Sequence, residues 1–276
     1  MLSPQQLEDI ERLQKKCEKA DQISLKLNWD MLQNRDSLVK NDFFHYDGQE
    51  LIGFLGLYGF GHKVEICGMV APKYRRKGIF SHLFDAAIQE VKVQNITQIL
   101  LNTPSNSSSG KGFLQGISCA YSFSEYQMKW NGEDFELSDE GINIRPVTLL
   151  DEELEVQLDV QCFGLAESEA RQFNHVVKED TTQKQYMIEF GEKTVGKIRV
   201  SQLNQEAWIY GFAVLPDFQG KGIGRCALKQ IVQKESNAGF PVFLEVEAKN
   251  AHALKLYESC GFVSFNTQDY YKFSGL

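Results

Sequence analysis

Residues 212–225 carry three glycines at alternate positions and have the pattern of a strand, a short loop and a helix. Glycine lets a backbone approach a ligand closely, and free amides at a helix N-terminus favour an anion, especially phosphate. The segment therefore fits a pyrophosphate group. Lys221 and Arg225 would add positive charge, although a solvated helix surface explains each of them equally well. The segment is Phe212-Ala213-Val214-Leu215-Pro216-Asp217-Phe218-Gln219-Gly220-Lys221-Gly222-Ile223-Gly224-Arg225.

Three other interpretations of these glycines can be compared with the sequence. A Walker loop fails, because no Ser or Thr follows any Gly-Lys pair. A dinucleotide fingerprint is closer, because Glu245 and Glu247 end a strand at about 20 residues onward, where such a fold places its ribose-binding acid. Its glycine spacing is different, however, and an antiparallel meander precedes the loop. A glycine-rich turn without a ligand stays open as the third alternative.

At these residues the sequence resembles the GNAT superfamily of N-acetyltransferases. The family motif is Gln or Arg, two residues, Gly, one residue, then Gly or Ala, and it stands here as Gln219-Gly220-Lys221-Gly222-Ile223-Gly224 after Val214-x-Pro216. A second family element stands as Asn250-Ala251-His252-Ala253-Leu254-Lys255-Leu256-Tyr257-Glu258-Ser259-Cys260-Gly261-Phe262. The resemblance covers residues 142–276 well and residues 1–130 more weakly.

The resemblance implies that acetyl-CoA is the cosubstrate. The family's fourth strand, here residues 208–214, carries a bulge and splays from the fifth, here residues 241–247. Its backbone would then bond pantetheine, and the loop amides would hold the pyrophosphate. Asn250 would contact the coenzyme, although a helix cap explains it equally well. The implied coenzyme-binding residues are Phe212, Ala213, Val214, Gln219, Gly220, Lys221, Gly222, Ile223, Gly224, Arg225, Asn250 and Tyr257.

Acetyl transfer to an amine needs a neutral amine, a polarised thioester and a proton for the leaving thiolate. The resemblance places Tyr257 to donate that proton, with packing against Phe262 as its alternative role. The family often has a glutamate base on strand four, but Trp208 stands at about that place and cannot accept a proton. Glu206, Glu245 and Glu247 are the remaining candidates, each of which is otherwise explained as a strand acid.

Ser3 and Pro4, followed by apolar residues every three or four positions, predict a capped amphipathic helix at the start of the chain. A meander with a turn at residues 59–62, a glycine loop, a helix, a strand and a Ser/Asn/Gly loop to Gly110 are expected next.

The order of predicted elements repeats in the second half of the chain. A fixed offset of 144 places Val70 on Val214 and Gly78 on Gly222, together with Pro72 on Pro216, Ile79 on Ile223 and Asn106 on Asn250. The sequence therefore predicts an α/β (layered α+β) chain of two tandem GNAT-like domains, residues 1–132 and 141–276, joined by an acidic linker at 131–141. Each domain is expected to hold a mixed, mostly antiparallel sheet flanked by helices.

The first copy departs from the family pattern, and we expect it to be catalytically silent. Phe80 stands where Gly224 stands in the second copy, and would enter the pyrophosphate space or stiffen the turn. The same offset puts Phe113 opposite Tyr257, and Leu101 and Thr103 opposite Glu245 and Glu247. Coenzyme binding by the first copy stays open.

Composition excludes several functions. The 29 Lys and Arg residues against 37 Asp and Glu give a net charge of −8, which disfavours binding of nucleic acid through a broad basic face. The longest apolar run is far short of a membrane span, and the six cysteines and five histidines lack zinc spacing, so no metal is expected. We expect a cytoplasmic enzyme.

The acceptor and the oligomeric state are not encoded in any motif of the chain. The negative charge favours a cationic primary amine, either a small molecule or a peptide. The predicted function is direct transfer of acetyl from acetyl-CoA to this amine in a ternary complex, catalysed by the C-terminal domain. The alternative is a non-catalytic protein of the same fold that senses coenzyme or binds a partner.

Overall fold

The computed structural model describes residues 1–35, 39–60, 63–94, 96–133, 135–136 and 141–275. The chain separates into two compact units. The N-terminal unit consists of Met1–Glu125 and the residues from Asn266 onward, and the C-terminal unit is Tyr126–Phe265. Residues 61–62, which the sequence places in a turn, and residues 134 and 137–140 of the predicted linker lie outside the described residues.

The N-terminal unit is a mixed sheet with helices beside it. Its strand order is β1, β2, β3, β4, then the end of β11 and the start of β5. Pairing is antiparallel throughout the β1, β2 and β3 meander and parallel between β3 and β4. Its elements are α1 (Pro4–Asp21), α2 (Trp29–Gln33), β1 (Asp42–Asp47), β2 (Glu50–Phe60), β3 (Lys63–Val70), α3 (Ile79–Val93), β4 (Gln98–Pro104), α4 (Ser108–Leu114) and β5 (Cys119–Trp130).

The C-terminal unit repeats this plan. Its strand order is the start of β11, the end of β5, then β10, β9, β8, β7 and β6, with only β9 and β10 parallel among the pairings of β6 to β10 that the described residues define. Its elements are β6 (Ile142–Pro146), α5 (Glu152–Phe163), α6 (Glu167–Glu179), β7 (Gln183–Phe190), β8 (Lys193–Leu203), β9 (Glu206–Val214), α7 (Ile223–Asn237), β10 (Val242–Glu247), α8 (Ala251–Ser259) and β11 (Phe262–Phe273).

Helix α1 forms as its sequence predicts. Ser3 caps it, with its side chain accepting from the Gln6 amide while Gln6 bonds back to the Ser3 amide, and Pro4 occupies the first turn. The helix buries Ile10, Leu13 and Cys17 against the sheet. Burial of an aliphatic side chain of this size contributes about 1.5–3 kcal/mol. Packing rather than intrinsic propensity therefore holds this helix in place.

The two units exchange strands. β5 and β11 are equivalent strands of the two repeats, since 262 − 119 and 273 − 130 both give 143. The end of β11 nevertheless pairs with β4 in the N-terminal unit, where Asp269 lies opposite Thr103. The end of β5 lies in the C-terminal unit, where Gln127 Nε2 donates to Glu245 Oε1 at 2.8 Å. Each repeat thus supplies one strand end to the other unit.

The compact units differ at their ends from the domains that the sequence predicts. The residues from Asn266 onward belong to the N-terminal unit, and Tyr126 to Asn131 belong to the C-terminal unit. Two short helices, α2 and α4, also occupy segments where the sequence predicts no helix. Helix α4 is rich in Ser and Gly, yet it forms because Ser107 accepts from the Gly110 amide and Leu114 is buried.

Candidate functional site

The parallel pairing of β9 with β10 ends partway along both strands. The paired residues are 207–209 on β9 and 242–244 on β10, whereas the strands continue to Val214 and Glu247. A bulge lies just beyond the last pair. On β8, Lys197 pairs with Ala213 and Arg199 with Tyr210, so β9 has one extra residue there. This geometry turns backbone groups of β9 out of the ladder, as the sequence resemblance implies.

Gly211 is the residue that makes the bulge possible. Its φ is 54°, in the left-handed region that favours glycine. Phe212 lies within the bulge, and Ala213 and Val214 follow it as partners of Lys197 and Gly196 on β8. Sequence reasoning did not single out Gly211, although an isolated glycine inside a strand is a recognised signal for a bulge.

The loop after β9 is held by one side chain and two glycines. Gln219 Nε2 donates to the carbonyl oxygen of Val214 at 2.8 Å, which closes the turn. Gly220 and Gly222 have φ values of 73° and 81°, and an added Cβ at Gly220 would meet open space. Gly222 precedes α7 and gives it no side-chain cap. The first amides of α7, at Ile223, Gly224 and Arg225, are therefore available to an anion.

Tyr257 lies on α8 and is 9% exposed. Desolvation raises the pKa of its phenol to about 12, with the nearby Cys260 adding to the effect. The phenol therefore keeps its proton at neutral pH and can act as a donor. The ring also packs edge-on against Phe262 with centroids 6.2 Å apart, so the packing role is present as well.

The remaining predicted site residues lie on β10, on β9, at the start of α8 and in the loop after β9. Glu245 directly follows the last β9–β10 pair, at the point where the strands part, and accepts from Gln127. Glu206 precedes the paired stretch and accepts from Trp208 Nε1 at 2.8 Å. Asn250 caps α8, accepting from the Ala253 amide at 3.1 Å. Lys221 extends over the Phe218 ring, with Nζ 5.1 Å from its centroid.

The N-terminal unit contains the same loop. Arg75 Nε donates to the Val70 carbonyl at 2.9 Å, as Gln219 does to Val214. Arg76 and Gly78 have φ values of 61° and 81°, matching Gly220 and Gly222. The C-terminal segment of α1 also matches α5, since Cys17 Sγ and Cys162 Sγ each lie 3.5 Å from the last carbonyl oxygen of β3 and β9.

Phe80 lies in the first turn of α3, and its side chain lines the cavity beside β3 and β4. Its ring packs over Gly68 on β3, where an added Cβ would lie 2.8 Å from it, and edge-on to Phe113 at 4.7 Å. In the C-terminal unit the large residue lies on the strand and the small residue lies on the helix. Phe212 on the strand faces Gly224 on the helix, with its ring 3.4 Å from an added Cβ. One aromatic ring thus fills the space between strand and helix in each unit.

The offset of 144 applies only from the end of β3 through α3. Beyond α3, equivalent residues of the two repeats differ by 143 in number. Ser107 caps α4 and Asn250 caps the equivalent helix α8, and these two residues are 143 positions apart. Leu114, not Phe113, therefore corresponds to Tyr257. Strand pairing gives the same shift: Leu101 pairs with Ile66 as Leu244 pairs with Ile209. Asn102 and Pro104, and not Leu101 and Thr103, consequently correspond to Glu245 and Glu247.

The same register gives a carboxylate to the N-terminal unit. Glu65 lies opposite Tyr58 and Leu100, as Trp208 lies opposite Ser201 and Phe243. Glu65 is buried on β3, 4.0 Å from Lys63 Nζ. The acid missing from the fourth strand of the C-terminal unit is therefore present in the other unit.

Metal sites and membrane-spanning helices are both absent from the described residues. No group of three or more His, Cys, Asp or Glu side chains there could hold a metal ion. Within those same ranges, no helix is long and apolar enough to cross a membrane.

Comparison with known proteins supports the fold. A structure titled GCN5-related N-acetyltransferase from Sphaerobacter thermophilus matches 98% of the chain and 93% of its own length, with a TM-score of 0.78 and 16% identity. A tandem GNAT protein from the clavulanic acid biosynthesis pathway matches 96% and 94%, with a TM-score of 0.69 and 15% identity. At these identities the likeness concerns the fold alone.

Curated relatives match a smaller part of the chain. The [ribosomal protein bS18]-alanine N-acetyltransferase of Salmonella typhimurium is 45% identical over 58 residues, 21% of this chain and 39% of the relative. N-alpha-acetyltransferase RimI of Mycobacterium tuberculosis is 36% identical over 90 residues, 31% of this chain and 56% of the relative. The chain thus spans between two fifths and three fifths of the length of these relatives.

The model of the acetyltransferase (GNAT) family matches the chain twice, at residues 5–111 and 151–262. Each match covers one loop with left-handed residues before a helix, in agreement with the two units and their repeated geometry. The chain belongs to the GNAT family of acetyltransferases and carries two copies of its fold.

Proposed function

We propose that the protein is an acetyl-CoA-dependent N-acetyltransferase whose C-terminal unit moves the acetyl group directly to a primary amine. The observation that carries this proposal is the bulge at Gly211, directly beyond the last β9–β10 pair and followed by a glycine loop at the N-terminus of α7. In the N-terminal unit, β2 and β3 pair from residue 53 to 70 without any shift. The turned-out strand backbone is therefore particular to the C-terminal unit.

The residues present fit the coenzyme. The uncapped amides of Ile223, Gly224 and Arg225 suit a pyrophosphate, and Gly220 leaves the space in front of the loop open. The backbone of Phe212 to Val214 would bond the pantetheine arm as an added strand does. Acetyl-CoA supplies the activated acetyl group.

The protein's own groups would move two protons. Tyr257 keeps its phenolic proton at neutral pH and would give it to the leaving sulfur. Glu245 is our candidate for accepting the proton of the amine, since it lies where β9 and β10 part. Glu206 lies at the far end of the paired stretch and is the weaker candidate. A backbone amide near Val214 would stabilise the developing negative charge on the carbonyl oxygen.

The acceptor is proposed as a primary amine on a small molecule or a peptide. Two of the curated relatives are named for the alanine of ribosomal protein bS18 or for α-amino acetylation. Trp208 stacks on Phe243 with centroids 4.9 Å apart, on the strands that flank the proposed site. A peptide beginning with alanine is thus the first acceptor to test, followed by polyamines and aminoglycosides.

Free-thiol release from acetyl-CoA with this amine panel tests the proposal, with coenzyme binding measured by calorimetry. Gly222→Asp introduces a negative charge at a left-handed position and should abolish both binding in the C-terminal unit and turnover. Gly78→Asp is the matched change in the N-terminal unit. Coenzyme binding without thiol release for any amine would instead favour the sensor alternative. Turnover lost in Gly78→Asp and kept in Gly222→Asp would contradict the assignment to the C-terminal unit.

A further inference from the structure

A cavity of about 610 Å³ lies in the N-terminal unit, beside β3 and β4. Its lining includes the loop residues Arg76 and Gly78 and the first turn of α3 at Ser81. Lys26, in the segment between α1 and α2, and Asn102, on β4, also line it. The unit that the sequence predicts to be silent therefore has a cleft of ligand size.

This cleft is equipped for an anionic ligand with a polar arm. The loop has the same left-handed residues as Gly220 and Gly222, and α3, like α7, begins without a side-chain cap. Arg76 and Lys77 add positive charge next to these amides. Asn102 Nδ2 is buried on the cavity wall and has no hydrogen-bond partner among the described residues. An unpaired buried donor is costly, and a ligand oxygen would satisfy it.

Lys26 lines the same cleft, and its amine contacts a residue of β11 near the point where β3 and β4 part. The last β3–β4 pair is Ile66 with Leu101, and the next residue, Asn102, pairs with Tyr270 of β11. Lys26 Nζ donates to the Tyr270 hydroxyl at 2.8 Å and lies 3.2 Å from Glu125 Oε2. Tyr270 is fully buried and donates to the same carboxylate oxygen at 2.7 Å.

The corresponding positions in the C-terminal unit show what is special about this lysine. There Asn102 is replaced by Glu245 and Tyr270 by Gln127, and Gln127 donates to Glu245. The C-terminal unit thus has an acid where an acceptor amine would arrive. The N-terminal unit has an amine of its own, with 12% of its side chain exposed and an acid beside it.

The geometry points to Lys26 as a site of self-acetylation by acetyl-CoA bound in the cleft of the N-terminal unit. This inference rests on the acetyl-CoA dependence in the proposed function. Glu125 takes a proton from the Lys26 ammonium, and the neutral Nζ forms a bond to the acetyl carbonyl carbon. The carbon–sulfur bond breaks, Nζ loses its second proton as the amide forms, and the leaving thiolate takes up that proton. The products are an amide at Lys26 and free coenzyme A.

Acetylation would remove the charge of Lys26 and its ion pair with Glu125. The cleft would then hold a neutral amide beside Tyr270. The N-terminal unit would therefore transfer one acetyl group per chain and stop, which agrees with the expectation that it does not turn over an external amine.

The test is peptide mass mapping of the full chain over time with acetyl-CoA. Lys26 should be acetylated at about 100-fold the rate of the exposed Lys15, because an amine held beside the thioester has a high effective concentration. Ser81→Glu puts a negative charge into the first turn of α3, where glutamate is compatible with a helix, and should slow acetylation of Lys26 at least tenfold. Lys26→Arg keeps the charge and should remove the modified peptide.

Arg225→Glu is the matched change on α7, since Arg225 corresponds to Ser81. It should lower thiol release with external amines and leave acetylation of Lys26 intact. Acetylation of Lys26 at the rate of Lys15, or its loss in Arg225→Glu but not in Ser81→Glu, would overturn the inference. Thiol release measured in parallel separates the two proposals: modified Lys26 without turnover of any amine contradicts only the proposed function, and turnover with unmodified Lys26 contradicts only this inference.

Discussion

Tyr257 and Leu114 occupy the same place in the two repeats, and under the proposed function this difference gives a phenolic proton donor at this position to the C-terminal unit alone. Both side chains are buried near the end of a short helix, α4 after β4 for Leu114 and α8 after β10 for Tyr257. Only the phenol carries a dissociable proton, and burial raises its pKa to about 12. A leucine there can pack but cannot serve the leaving sulfur.

We expect Tyr257→Phe to lower kcat by about 10- to 10³-fold with little change in coenzyme affinity, as loss of a general acid does when water partly replaces it. Steady-state kinetics and calorimetry on the same preparation measure both quantities. Tyr121→Phe, at an exposed position, is the control. Unchanged kcat in a folded Tyr257→Phe protein would leave Tyr257 with its contact to Phe262 alone.

Glu245→Gln should lower kcat/KM at least tenfold, because the amide keeps the bond to Gln127 but accepts no proton. Glu206→Gln is the matched variant, since Glu206 accepts from Trp208 at the closed end of the strand pair. Steady-state kinetics with a varied amine at saturating acetyl-CoA distinguishes the two variants. A larger loss of kcat/KM in Glu206→Gln than in Glu245→Gln would reverse the assignment.

At the scale of elements, each strand–helix contact is filled by one phenylalanine, from α3 in the N-terminal unit and from β9 in the C-terminal unit. Phe212 can stand on β9 because the bulge at Gly211 moves the backbone outward there. On β3 there is no such shift, and an added Cβ at Gly68 would lie 2.6 Å from the Phe54 carbonyl oxygen. The strand geometry therefore decides which element carries the ring.

Phe80→Gly should reduce the free energy of unfolding by about 3 kcal/mol through the space it leaves beside Phe113 and the loss of helix propensity. Adding Gly68→Phe should fail to restore stability, because the Phe54 carbonyl blocks it. Urea denaturation of the single and double variants measures both effects. Recovery of stability in the double variant would mean that β3 shifts register to accept the ring.

The sequence predicted the elements that depend on local signals. The Ser3 cap, the meander and the glycine loops appear where their residues place them, because capping, alternation and left-handed backbone are local properties. Helix α4 was missed, since its two glycines and two serines disfavour a helix that Leu114 stabilises by burial. The shift from 144 to 143 was also missed. The offset changes because β9 has one extra residue at the bulge and because the chain from the end of α7 to Leu244 is one residue shorter than the chain from the end of α3 to the equivalent Leu101. Of these two differences, only the bulge has a signal in the sequence, which is Gly211.

At the scale of the whole molecule, each compact unit includes a strand end from the other repeat. Neither repeat therefore forms a complete unit by itself. The hydrophobic pattern of β5 and β11 predicted two strands, but it could not predict their partners, because a strand pattern records which face is buried and not which edge it meets. Tyr270 is fully buried in the N-terminal unit although it belongs to the second repeat.

A chain that ends at residue 265 should therefore lose the N-terminal unit first. Removing the end of β11 strips β4 of its antiparallel partner and takes away the buried side chains of Gln268 and Tyr270. Hydrogen exchange should become faster at β4 amides by about 100-fold or more, a loss of about 3 kcal/mol of local stability, while amides of β8 change less. Equal protection of the β4 amides against hydrogen exchange in the full and shortened chains would contradict the exchange of strand ends between the two repeats.

The strand exchange also determines the order in which the protein can be completed during synthesis. The residues of β1 to β4 leave the ribosome long before residues 266–273, so β4 has to wait with an unpaired edge while the whole second repeat is made. At about 5–20 residues per second, this interval lasts on the order of ten seconds. A chaperone that shields strand edges would be most useful during this interval. A chain released from a stalled ribosome after the first repeat would lack the β11 residues that pair with β4.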